Sequence, residues 1–161
     1  MHNCLVGSEM CIRDSFACEK LGVYLEGTLL KPSMTCCGAE CPEKVTPRDV
    51  AYKTIDVMLR SVPEEVAGIV FLSGGLSEEA ASIYLSEMNK TVNVTPWTVS
   101  FSYGRALQHS CLKAWAGSNI PAGQAALLAR AQANSEASRG IYVPNSQPSS
   151  DEKLFVAGYT Y

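Results

Sequence analysis

Ala67 to Leu72 reads AGIVFL, six residues with no polar side chain among them. A strand that is apolar on both faces has to be covered on both, and that is the situation of a strand inside a parallel sheet flanked by helices. The run passes straight into Ser73-Gly74-Gly75. Ser77 then caps a helix, with Glu78 and Glu79 near its positive end. Ala81, Leu85 and Met88 form the apolar stripe of that helix.

The same unit occurs before and after it. Gly22 to Leu30 (GVYLEGTLL) predicts a strand that stops at Lys31-Pro32, because proline cannot donate to a ladder. Ser33 to Val45 reads as loop. Thr46 is a good N-cap, Pro47 suits the first helical position, and Asp49 sits in the first turn. Ala51, Ile55, Met58 and Val62 share one face of that helix, and Pro63 ends it. Trp97, Val99, Phe101 and Tyr103 alternate with Thr98, Ser100 and Ser102, which predicts a third strand over 97–103. Gly104-Arg105 closes it, and a helix follows from about Ala106 to Ala116. Strand and helix alternating three times predict βα units around a parallel sheet. A further alanine-rich helix runs from about Pro121 to Ser138, with Gly140 as its C-cap. Pro144 to Lys153 is Pro/Ser/Asp-rich and reads as a mobile linker to an aromatic end.

The 161 residues suit one domain with one core. A net charge of −3 without a basic run argues against a nucleic-acid partner held by bulk electrostatics. No stretch of about 18 apolar residues is present, so no membrane span is expected. Met1 to Ser15 lacks the basic and apolar regions of a signal peptide. Seven cysteines, an odd count, read as reduced thiols in a cytosolic or stromal compartment. Cys36, Cys37 and Cys41 cluster, but a closed zinc site needs four ligands, and His2 and His109 are remote in sequence. No metal is expected.

Parallel α/β folds gather functional groups at the C-terminal ends of their strands. Three groups stand there in this chain. Lys31 shares strand parity with Leu25, Gly27 and Leu29, and an amine among apolar groups loses solvation of its ammonium form and becomes nucleophilic. From position alone, a strand-end lysine reaching to water is the commoner case. Ser73-Gly74-Gly75 before a capped helix offers backbone N–H groups to an anion, or is a turn that needs glycine torsions. Arg105 adds a charged fork for a phosphate, or is a surface cation set against the helix dipole. His109 reads as helix surface, and Trp97 and Trp115 read as packing. Glu43 and Glu64-Glu65 read as solvated charge.

Three blocks carry a resemblance: LEGTLLKP (25–32), FLSGG (71–75) and FSYGRAL (101–107). Ser77-Glu78-Glu79-Ala80, Pro96-Trp97, Lys113-Ala114-Trp115, Ala133-Asn134-Ser135 and the terminal Tyr161 support them. From about Cys18 to Tyr161 the chain resembles class I fructose-bisphosphate aldolase. The resemblance implies an eight-stranded (β/α) barrel, the TIM barrel, of which this chain holds the last three βα units and the tail. A complete barrel needs about 250 residues. The division implied is an unmatched and spurious leader over 1–15, barrel over 16–143, and a mobile C-terminal tail over 144–161.

The resemblance also implies roles. Lys31 matches the lysine that forms the Schiff base. Ser73, Gly74 and Gly75 match the loop holding one substrate phosphate, and Ser102, Gly104 and Arg105 match the other half of that grip. Tyr161 matches the C-terminal tyrosine that assists proton exchange. Neither metal nor cofactor is implied, since the iminium serves as the electron sink. The substrate implied is fructose 1,6-bisphosphate, cleaved in glycolysis by a homo-oligomeric, commonly tetrameric, parent in the cytoplasm or a plastid. The family's acid/base carboxylates come from strands this chain lacks, so the chain alone is expected to be inactive. Two other readings stand beside it: a non-catalytic partial-barrel module that binds sugar phosphates, and a thiol-metal protein built on Cys36, Cys37 and Cys41.

Overall fold

The computed structural model describes residues 2–38, 45–91 and 95–154. Its elements run α1 (His2–Lys20), β1 (Leu29–Leu30), α2 (Pro47–Ser61), β2 (Gly68–Phe71), α3 (Glu78–Lys90), β3 (Thr98–Phe101), α4 (Arg105–Trp115) and α5 (Ile120–Ala137). The strands form one parallel sheet in the order β1-β2-β3. Leu30 pairs with Ile69, and Phe71 with Phe101. This is the alternation expected from the sequence, an α/β arrangement of a parallel sheet with helices.

The caps explain where the helices begin. Thr46 accepts from the Asp49 amide while the Asp49 carboxylate accepts from the Thr46 amide, a reciprocal capping box. Ser77 accepts from the Ala80 amide at the start of α3. At the end of α5, Gly140 takes a φ of +70° and its amide reaches the Ala137 carbonyl. A side chain is strained in that left-handed conformation, so glycine ends the helix cheaply.

One strand departs from expectation. The sequence predicts Gly22 to Leu30, but only Leu29 and Leu30 pair with β2. Leu25–Gly27 winds into a 3₁₀ turn instead. The Gly27 amide donates to Tyr24 and the Thr28 amide to Leu25, so local bonds satisfy the backbone groups that a ladder would have used. Pro32 does not end the pairing. Its carbonyl accepts from the Leu72 amide at 3.0 Å, and Ser33 bridges to Leu72.

The core lies between the sheet and the helices. Ile69, Phe71 and Val99 project to that side and are buried, against Ala51, Ile55 and Met58 of α2 and Ala81, Leu85 and Met88 of α3. The opposite face carries the alternate residues, Leu29, Val70, Thr98 and Ser100. Leu29 is 65% exposed there. One face of the sheet is therefore covered and one is open, as in a barrel wall seen alone. Trp97 is buried and donates its indole N–H to the Pro63 carbonyl at 2.7 Å, which joins the entries of β2 and β3.

Residues 142–154 follow α5 and have a defined place, although their composition predicts a mobile segment. They lie against α3 and α4 and make hydrogen bonds to both.

Candidate functional site at the strand ends

The parallel register brings the three sequence-predicted groups to one edge of the sheet. Lys31 follows β1, Ser73-Gly74-Gly75 follow β2, and Ser102 to Arg105 follow β3. Backbone bonds hold these ends together. Leu72 donates to Pro32, and Ser102 donates to Phe71 at 2.9 Å.

Lys31 is exposed. The parity expected with Leu25 and Gly27 does not exist, because those residues are in the 3₁₀ turn. Parity with Leu29 holds, and it sets Lys31 on the open face, the interior side of a barrel. The apolar surroundings expected for the amine are not formed by this chain's described residues: Leu29 is itself exposed.

The second loop is a tight turn. Gly74 and Gly75 both have positive φ, +52° and +87°, and the Leu76 amide donates back to Ser73. Ser73 and Gly75 are buried and Gly74 is exposed. The third loop ends on Gly104, the N-cap of α4, which has no side chain to satisfy the free amides of the first turn. Arg105 opens α4 and is half-buried. Its guanidinium Nη1 donates to the Leu154 carbonyl, and the Leu154 amide donates to the Gly75 carbonyl at 2.9 Å. A single residue of the C-terminal segment thus joins the second and third loops. Tyr161 and Cys41 lie outside the described residues. Cys36 is half-buried against the core and Cys37 is exposed.

Sequence reasoning missed the residues that hold this segment. Glu78 and Glu79 were placed by the helix dipole, and both are buried. Glu79 accepts from the Tyr142 hydroxyl at 2.7 Å, the Asn145 amide at 2.8 Å and the Ser149 hydroxyl at 2.9 Å. Glu78 accepts from the Ser150 amide at 3.0 Å and from the amide and hydroxyl of Ser110 in α4. Buried carboxylates are costly unless bonded in this way. Arg130 of α5, fully buried, stands 3.9 Å from Glu79 and donates to the Glu78 carbonyl and to Ser82. Burial, then the Glu79 bond, pushes the Tyr142 hydroxyl up to about 12. At the surface, Glu152 accepts from Lys113 and lies 3.2 Å from His109; these bonds, Lys113 first, hold its carboxyl below the ordinary value. His109 is thus half-buried on α4 with a partner, not a bare surface residue.

The family model for class-I fructose-bisphosphate aldolase matches residues 3–161. The chain belongs to the class-I fructose-bisphosphate aldolase family. The match begins inside the stretch 1–15 that the sequence reading leaves without a counterpart. Fructose-bisphosphate aldolase B of Gallus gallus is 53% identical over 143 residues, covering 86% of this chain and 39% of the relative. The cytoplasmic isozyme of fructose-bisphosphate aldolase from Cicer arietinum is 46% identical over 166 residues, covering all of this chain and 46% of the relative. The chain thus spans 39–46% of the length of these curated aldolases. Among solved structures, fructose-bisphosphate aldolase from Plasmodium falciparum, in a ternary complex with TRAP and a small-molecule inhibitor, superimposes with a TM-score of 0.84 at 43% identity. It covers 88% of this chain and 41% of that one. The aldolase fold therefore accounts for the open sheet face: it is one part of a barrel wall.

Proposed function

We propose that this chain is the C-terminal portion of a Schiff-base fructose-bisphosphate aldolase, and that Lys31 is its covalent residue. The observation that carries this reading is the convergence of Lys31, the Ser73-Gly74-Gly75 turn and Arg105 on one end of one parallel sheet, in a chain of that family. The Lys31 amine attacks the ketone carbon of fructose 1,6-bisphosphate and water leaves, forming an iminium. A base of the complete enzyme takes the C4 hydroxyl proton as the C4=O bond forms; the C3–C4 bond breaks, its electron pair enters the iminium, and glyceraldehyde 3-phosphate departs. Protonation of the resulting enamine, assisted by Tyr161, and hydrolysis release dihydroxyacetone phosphate. Ser73, Gly74, Gly75, Ser102, Gly104 and Arg105 hold a substrate phosphate through backbone N–H groups, hydroxyls and the guanidinium fork.

The relatives' names support glycolytic sugar-phosphate chemistry, and the Cicer arietinum cytoplasmic isozyme supports a cytoplasmic location. We assign the complete enzyme a homotetrameric state. General acid/base groups contribute about 10²–10⁴-fold in such reactions. This chain alone, without the family's carboxylates, turns over far more slowly than the complete barrel.

Borohydride trapping tests the assignment. Incubation with dihydroxyacetone phosphate and borohydride yields a covalent adduct that peptide mass spectrometry places on Lys31, and Lys31→Arg abolishes it. Binding of the ketose phosphate without any adduct favours the alternative reading, a sugar-phosphate-binding module.

A further inference from the structure

The two halves of the phosphate grip belong to different units of the fold. The Ser73 turn leads into α3, and Ser102 to Arg105 lead into α4. The sheet ladder reaches the Ser102 amide, which donates to Phe71. Tyr103 follows, where the chain leaves the sheet. Its side chain joins the core with Val99 and Phe101, with its ring 5.3 Å from that of Phe101. Its hydroxyl donates to the Ala81 carbonyl of α3 at 3.1 Å. Ser110 of α4 makes a second tie to the same helix, through its amide and hydroxyl to Glu78. α3 is thus a frame: it starts from the second loop and is bonded to the third loop and to the helix that follows.

We propose that Tyr103 is a positioning residue for the phosphate grip, its hydroxyl bond to α3 setting the third loop at the spacing from the second that a phosphate needs. This rests on the phosphate-loop reading given above and deepens it. Tyr103 makes no contact with the ligand. It is buried on the helix side of the sheet, and Ser102 and Gly104 on either side of it supply the contacts. A loop already held by the fold binds more tightly than one its ligand must order. Apparent affinity falls by the fraction of time the competent arrangement is populated.

A buried phenol suits this task. Burial pushes its titration well above the ordinary value, so the hydroxyl remains a donor. The bond can also be removed with little else. Tyr103→Phe keeps the ring in the core, and the Ala81 carbonyl, inside α3, keeps the helix's own donor. A neutral hydrogen bond moves a local equilibrium by about two- to tenfold, and that bounds the affinity that this positioning supplies.

The test is borohydride trapping on Lys31, read as the ketone concentration that gives half-maximal adduct, with dihydroxyacetone phosphate and with dihydroxyacetone. Tyr103→Phe raises that concentration several-fold for the phosphorylated ketone. It leaves the value for the unphosphorylated ketone, and the adduct formed at saturation, unchanged. Ser110→Ala, which removes one hydroxyl from the second tie, shifts the phosphorylated ketone in the same direction and serves where Tyr103→Phe does not fold. Equal losses with both ketones would mean that Tyr103 only supports the fold, and the proposal is overturned. It is overturned as well if Tyr103→Phe leaves the phosphorylated ketone unaffected in a chain where Arg105→Ala weakens it. If the unaltered chain is not trapped, or Arg105→Ala leaves trapping of the phosphorylated ketone unchanged, the reading of Lys31 and the loops as one site fails and takes the proposal with it.

Discussion

Glu79 takes the Tyr142 hydroxyl inside the fold, and that contact gives stability a defined pH window. Tyr142 titrates near 10 when unfolded and at about 12 in the fold, chiefly through burial. Its raised value favours the neutral form in the folded chain. The corresponding stability is fully present below pH 10 and is lost as pH rises toward 12. Urea unfolding from pH 9 upward should show stability falling through this window in the unaltered chain and falling less in Tyr142→Phe. Parallel curves would contradict the assignment. Residues of this kind were not legible in the sequence. A glutamate in a first helical turn reads as a dipole partner, and Ser149, Ser150 and Asn145 read as linker. Their polarity is matched to two buried carboxylates more than 60 residues away in sequence, which no local pattern reports. Lys31, the Ser73 turn and Arg105 were legible because each marks the end of an element.

At the scale of elements, the helices were the most readable parts. Ala51, Ile55, Met58 and Val62 are buried as their spacing predicts, as are Ala81, Leu85 and Met88. Caps and apolar stripes are local signals, and tertiary structure did not override them here. The Gly22 to Leu30 segment was overridden. Its apolar residues fit a strand, yet the turn at Leu25–Gly27 satisfies the same amides over three residues. Thr46 offers a clean check on cap energetics, because it combines a side-chain acceptor with the reciprocal Asp49 bond at an exposed site. Thr46→Ala should cost about 1 kcal/mol, read as a lower urea midpoint at constant slope. An unchanged midpoint would mean that α2 draws its stability from packing alone.

At the scale of the molecule, the sheet among the described residues has three strands, one covered face and two edges without a strand partner. β1 is only two residues long and β3 only four, so the edges are short, but the open face carries Leu29 and sits above a chain with many exposed apolar side chains. Exposed apolar surface and open edges both favour association. Sedimentation velocity across a concentration series should show mass increasing with concentration, and a monomer at every concentration would contradict this. The same openness explains why Lys31 is exposed: the residues that would enclose its face are not among those described.

The central claim is that Lys31 and the phosphate loops form one site. The most direct measurement is borohydride trapping compared between dihydroxyacetone phosphate and dihydroxyacetone, in the unaltered chain and in Arg105→Ala. A single site predicts that Arg105→Ala sharply lowers trapping of the phosphorylated ketone on Lys31 and leaves trapping of the unphosphorylated one unchanged. Equal trapping of both ketones, indifferent to Arg105, would show that the lysine and the phosphate grip do not act on the same molecule.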